Sequence, residues 1–190
     1  PYAPDGAYGR PDALKRLVDA AHGLGLMVYL AAVYNHFGPA GNYLHAYAKT
    51  FFTERHQTPW GAGINFDGKE SGATVRQFFI QNALYWLEEY RFDGLRFDAV
   101  HAILDDSPRH FLAELGETVR RTFPDRQIHL MLENEANQAR WLERDTAGRP
   151  KLHAAPWADD LHHCWPVRLP GRAARHYQSV AAKPAAHPPP

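Results

Sequence analysis

The sequence is poor in the residues that staple, target or anchor a chain. Cys164 is its only cysteine, which excludes an intrachain disulfide framework. A chain without disulfides fits a reducing compartment, and a cytoplasmic location is the expectation. No apolar run reaches the roughly 18 residues of a membrane span, and no leader with a basic start and apolar middle is visible. A membrane partner is therefore not expected. Excess charge is missing too: Lys plus Arg and Asp plus Glu number 21 each, for a formal net charge of zero. That removes the basic field a nucleic-acid binder relies on. There is no Gly-rich phosphate loop and no internal repeat. The sequence opens at Pro1, so its natural start is expected to lie upstream.

What is present is apolar and aromatic material. The 190 residues are 45% apolar and 13% aromatic, enough for one sizeable core. Five Trp, nine Tyr and ten Phe suit sugar stacking and a large core equally, and alone decide neither.

Pattern divides the chain. Residues 11–22 read as a helix: Pro11 suits the first helical position, and Leu14, Leu17, Val18 and Ala21 share one face. Gly23 and Gly25 stop it. The run LMVYLAAV, 26–33, reads as a strand buried on both faces, as in a parallel sheet. Residues 34–72 form a long loop rich in Gly, His and aromatics, a functional or inserted segment. A second helix follows over 74–90, with Val75, Phe78, Phe79, Trp86 and Leu87 as its buried stripe. Asp93-Gly94 is a turn and 95–98 a short strand. A third helix, 108–123, carries Phe111, Leu112, Leu115 and Val119, and 128–132 is a third strand. Alternating helix and strand predict a parallel α/β fold. A (β/α)8 barrel takes about 250 residues, so the chain is expected to supply roughly its middle half. The tail AAKPAAHPPP is low in complexity and predicted disordered.

Polar residues gather after each strand: Tyr34-Asn35-His36, then Arg96-Phe97-Asp98 with His101, then Glu133-Asn134-Glu135. In a parallel barrel the C-terminal strand ends converge on the active site. Asp98 and Glu133 are then expected to face one pocket from adjacent strands. Paired carboxylates are the requirement of glycoside hydrolysis, one at the anomeric carbon and one protonating the leaving oxygen. Arg96 lies two residues before Asp98, on the same side of the strand, where a guanidinium favours the ionised nucleophile. Other readings exist for each residue. Strand-end carboxylates also cap helices, and a lone His36 suits a hydrogen-bonded structural role. Asp159, Asp160, His162, His163 and Cys164 cluster without a recognised ligand spacing, so no metal is expected there.

These motifs resemble the α-amylase family of glycoside hydrolases. Val33-Tyr34-Asn35-His36 is similar to the first of that family's conserved regions. Asp93 to His101, DGLRFDAVH, is similar to the second, and Leu132-Glu133 to the third. Within the family, YNHFGPAGNYL (34–44), FFTERHQTPWGAGINFDG (51–68), DAVHAI (98–103), LENEANQA (132–139) and WADDLHH (157–163) resemble the malto-oligosyltrehalose trehalohydrolases. The resemblance implies a partial (β/α)8 barrel over 1–178, with 37–72 an inserted loop domain and 179–190 outside it. It implies retaining hydrolysis of the α-1,4 bond beside a terminal trehalose unit. Asp98 is then the nucleophile, Glu133 the general acid/base and Arg96 the group that orients Asp98. Tyr34, His36, His101, Asp159, Asp160, His162 and His163 are implied to bind substrate, a malto-oligosyltrehalose or related α-glucan. No metal or organic cofactor is implied. Three departures stand out. Ala31 replaces a family aspartate, Ala158 replaces an asparagine, and the fourth region, Asn-His-Asp, has no counterpart here. The isolated chain is therefore expected to be an inactive fragment. A glucan branching enzyme or α-amylase, sharing Asp98 and Glu133, and a non-catalytic truncated product are the alternatives. The sequence does not specify an oligomeric state.

Overall fold

The computed structural model describes residues 1–38, 41–134 and 138–158. The first helix, α1 (Pro11–Gly23), opens with proline where a missing N–H costs nothing. It closes in a Schellman turn. Gly25 adopts φ +72°, its N–H donates to His22 O at 2.9 Å, and Leu26 N–H donates to Ala21 O at 2.9 Å. Of its expected apolar face, Val18 is buried while Leu17 is 62% exposed.

Strand β1 (Tyr29–Ala32) follows. The long segment after it holds a short helix, α2 (Leu44–Tyr47), and an antiparallel hairpin of β2 (Phe52–Thr58) and β3 (Gly61–Ile64). Then come α3 (Gly72–Glu89), β4 (Gly94–Phe97), α4 (Phe111–Thr122), β5 (His129–Glu133) and β6 (Ala155–Trp157). Strands β1, β4, β5 and β6 form one sheet in that order, every pair parallel. This is an α/β fold that covers part of a (β/α)8 barrel. The sequence signals for α3, β4, α4 and β5 each lie within a few residues of the element formed. The fourth strand, β6, carries no strand signal. It is three residues long and contains Pro156, which an edge strand tolerates.

Alternation sorts the sheet's two faces. Leu95 and Phe97 of β4 and Leu130 and Leu132 of β5 are at most 2% exposed and belong to the apolar core. Phe79, Ala83 and Leu87 of α3 and Phe111, Leu115 and Val119 of α4 complete that core. Phe66, just after the hairpin, stacks on Phe111 with ring centroids 4.1 Å apart. The opposite face carries Arg96 and Glu133. The expectation that 26–33 is buried on both faces is not met. Leu26, Met27, Tyr29 and Val33 are all exposed. Among the described residues β1 is an edge strand.

Two features fix β4 and the loop after it: a glycine at the start of the strand and an arginine that reaches the loop. Gly94 is pinched between its neighbours: a Cβ there would lie 2.0 Å from His129 O and 2.6 Å from the Tyr29 ring. Arg76 of α3, 8% exposed, donates to Asp105 Oδ2 at 2.6 Å, Ser107 Oγ at 3.1 Å, Arg109 O at 2.7 Å and Glu114 Oε2 at 2.7 Å. One guanidinium thus joins α3, the 105–109 loop and the first turn of α4. Burial alone would push the Asp105 carboxyl up. Donation from Ser107, Arg76 and the Phe111 N–H outweighs burial and holds it below the ordinary carboxylate range.

Candidate active site

The parallel register brings the expected carboxylates together. Phe97 lies opposite Leu132, so Asp98 and Glu133 leave adjacent strand ends on the same face. Arg96 spans them. Its Nη1 donates to Asp98 Oδ1 at 2.5 Å and its Nη2 to Glu133 Oε1 at 2.6 Å. The three side chains are 20%, 29% and 17% exposed for Arg96, Asp98 and Glu133. They are sheltered, yet reachable from solvent. A forked guanidinium suits two carboxylates because each nitrogen takes one oxygen in the fork's own plane.

The other Glu133 oxygen is also held: Ala99 N–H donates to Oε2 at 2.8 Å. This bond depends on an unusual backbone. Ala99 has φ +41°, in the left-handed region, although it is not glycine. Such strain persists only where its surroundings impose it, and it clusters at functional sites. Here Asn35, 1% exposed, donates to Ala99 O at 3.3 Å from the end of β1. Asp98 N–H donates to Ala32 O at 3.0 Å, extending the β1–β4 ladder past its last paired residue.

The remaining predicted residues divide. His36 is half-buried. Its Nδ1–H donates to Asn35 Oδ1 at 2.8 Å, and its ring stacks on Trp60 at 4.8 Å. His101 is exposed in a turn of 3-10 helix after Asp98. It borders a cavity of about 290 Å³ that Trp141 and Arg140 also line. Tyr34, expected to bind substrate, lies in the core instead. It is 4% exposed, its hydroxyl donates to Asn82 Oδ1 at 2.7 Å, and its ring packs on Phe79 and Phe97. Burial pushes its phenol well above the ordinary range. Tyr34 has the same strand parity as Ala32, which faces the helices, and this places its ring inside. Asp159, Asp160, His162 and His163 lie outside the described residues.

Two tryptophans were not assigned from sequence. Trp60, in the hairpin turn, stacks on His36 and is 41% exposed. Trp157, opposite Glu133 on β6, is 51% exposed, with Arg96 Cζ 5.6 Å from its ring centroid. The strand order therefore sets the residues in a row from β1 to β6: His36 with Trp60, Asp98 with Arg96, Glu133, then Trp157. Away from the row, His56, Asp67 and Asp106 bring potential ligand atoms within 4.8 Å of one another. Arg55 lies 3.5 Å from Asp67 and 3.1 Å from Asp106, so a guanidinium already compensates these carboxylates.

No family model matches the chain. A curated malto-oligosyltrehalose trehalohydrolase from Deinococcus radiodurans is 41% identical over 93% of the chain and 27% of its own length. Another of that name, from Saccharolobus solfataricus, is 39% identical over 95% of the chain and 31% of its own length. The chain belongs to the α-amylase family of glycoside hydrolases. It spans about three tenths of the length of these curated relatives. A crystal structure from Salmonella typhimurium, described as a "Putative alpha Amylase", superposes with a TM-score of 0.87 at 45% identity. It covers 95% of this chain and 30% of that one. The resemblance read from the strand-end motifs thus extends along most of the chain.

Proposed function

We propose that this chain carries the catalytic pair of a retaining glycosidase that cleaves the α-1,4 bond next to a terminal trehalose unit and releases trehalose. The observation behind the proposal is the Asp98–Arg96–Glu133 bridge at adjacent strand ends, in a chain about 40% identical to enzymes named for this reaction. In the first step an Asp98 oxygen bonds to the anomeric carbon as the bond to the glycosidic oxygen breaks. The proton of Glu133 passes to that leaving oxygen. In the second step Glu133 takes a proton from water, the water oxygen bonds to the anomeric carbon, and Asp98 leaves. The geometry suits the second step best, since Glu133 accepts a hydrogen bond on each oxygen. For Glu133 to act as acid it must be protonated and one donor must release it. Arg96 is the movable one, because the Ala99 N–H is fixed by the backbone.

The 190 residues alone are proposed to bind glucan without detectable turnover. Among the described residues two carboxylates meet at this point, Ala31 offers no polar group beside Arg96, and solvent reaches all three charged side chains. Groups that grip the oxocarbenium-like transition state more strongly than the ground state are needed for rate. Water in the pocket weakens each charged contact. The test is a titration with maltotriosyltrehalose and, separately, maltopentaose, following binding by NMR and free trehalose by an enzymatic assay. Tighter binding of the trehalose-ended chain, without release, is expected. Equal affinity for both sugars would overturn the substrate assignment. Trehalose release that is abolished in Asp98→Asn would overturn the claim of insufficiency.

A further inference from the structure

We propose that Trp157 is a sugar-contacting residue, an indole platform for a glucosyl ring on the Glu133 side of the site. The inference rests on the glycosidase reading above and adds a residue to it.

Three observations carry it. Trp157 pairs in register with Glu133 across β5 and β6, so its side chain leaves the sheet on the face that holds the bridged carboxylates. Arg96 Cζ lies 5.6 Å from the ring centroid, which ties the indole to the guanidinium that joins Asp98 and Glu133. The residue nevertheless stays 51% exposed. A half-open ring beside three charged groups has the composition of a ligand site: apolar area to take the C–H face of a sugar, and polar groups at its edge for the hydroxyls. The contact with Arg96 also fixes the ring before a sugar arrives, which lowers the ordering cost of binding.

The position suggests what the ring meets. Sheet order places Glu133 between Asp98 and Trp157. A glucosyl unit on Trp157 would lie beyond the group proposed to protonate the leaving oxygen. Trp157 is thus placed to hold substrate rather than to take part in bond breaking.

The test uses the whole chain, 15N-labelled at the indoles of its five tryptophans, with the Trp157 signal identified by its loss in Trp157→Phe. Maltotriosyltrehalose is titrated into wild type, Trp157→Phe and Trp157→Ala, with the β-linked disaccharide cellobiose as control. The Trp157 indole signal of wild type should shift saturably with the α-glucan and not with cellobiose. Trp157→Ala should bind about tenfold more weakly, the change produced by about 1.4 kcal/mol of lost contact. Trp157→Phe, which keeps an aromatic face, should recover most of that loss. A merely structural role would not make affinity follow aromaticity while the folding transition stayed constant. If wild type binds α-glucan while the Trp157 signal stays still, or if the Ala variant binds as tightly as wild type, the inference fails and the glycosidase reading stands. If wild type binds no α-glucan, that reading fails and the inference falls with it. The wild-type titration needs no variant, so a misfolded Ala variant does not shield the proposal.

Discussion

His153 gives a pH dependence whose sign and size follow from its surroundings. The residue is 0% exposed, on the segment that leads into β6. Its Nε2 lies 3.0 Å from Leu112 O, and its Nδ1 is buried without a hydrogen-bond partner. With Nε2–H donating to that carbonyl the ring is neutral. A second proton on Nδ1 would meet no hydrogen-bond acceptor in a pocket that the Phe97 and Trp141 rings help to form. Burial pushes the imidazole down from its ordinary value of 6.5 to about 4, and the nearby Arg120 and His110 add to the effect. Between those pH values the unfolded chain binds a proton that the folded chain refuses. Stability from this group is therefore complete above pH 6.5 and is lost as pH falls through about 4. The span corresponds to about 3 kcal/mol as an order of magnitude. The assay is urea unfolding of wild type and His153→Gln from pH 7 to pH 4. The Gln variant keeps a donor for Leu112 O but cannot titrate. Wild type should lose about 3 kcal/mol more than the variant over that range. Carboxylates such as Asp67 and Asp93, held low once hydrogen bonds outweigh their burial, also destabilise the fold in acid. They do so in both proteins and cancel in the difference. Parallel pH profiles would refute the reasoning and mean that a partner reaches Nδ1.

Other expectations are simpler. Arg76→Met leaves Asp105, with a fully buried side chain, without its cation, and should cost about 3–5 kcal/mol, read as a lower urea midpoint. A loss under about 1 kcal/mol would mean that Ser107 and the backbone donors suffice. Gly94→Ala places a Cβ 2.0 Å from the carbonyl of His129. It should cost at least about 3 kcal/mol, the upper end for overpacking, and a fold of unchanged stability would show that β4 and β5 separate easily.

Much of this fold is legible in the sequence because its helices have one buried side. The stripe of Val75, Phe79 and Trp86 and that of Phe111, Leu115 and Val119 repeat at helical spacing, and all six residues are buried. Strand alternation correctly places Arg96 beside Asp98. For Tyr34 motif position points to substrate and parity with Ala32 points to the core, where its ring lies. The apolar run before it suggests burial on both faces because composition reports hydrophobicity and not what covers a face. The least legible feature is the bond that fixes Glu133. It requires a left-handed alanine, imposed by tertiary contacts such as that of Asn35 and unmarked by any glycine. Nor does a three-residue strand containing proline signal itself. Without β6, Trp157 has no place beside Glu133.

Covalent trapping with 5-fluoro-α-glucosyl fluoride distinguishes Asp98 as nucleophile from Glu133 as its acid/base partner. Fluoride leaves without a proton, so this reagent removes the demand on the acid, and the ring fluorine slows breakdown of the ester. After long incubation, peptide mass mapping should find the fluoroglucosyl group esterified to Asp98. Labelling should be absent from Asp98→Asn and retained in Glu133→Gln. An ester on Glu133, or labelling that survives Asp98→Asn, would contradict the assignment.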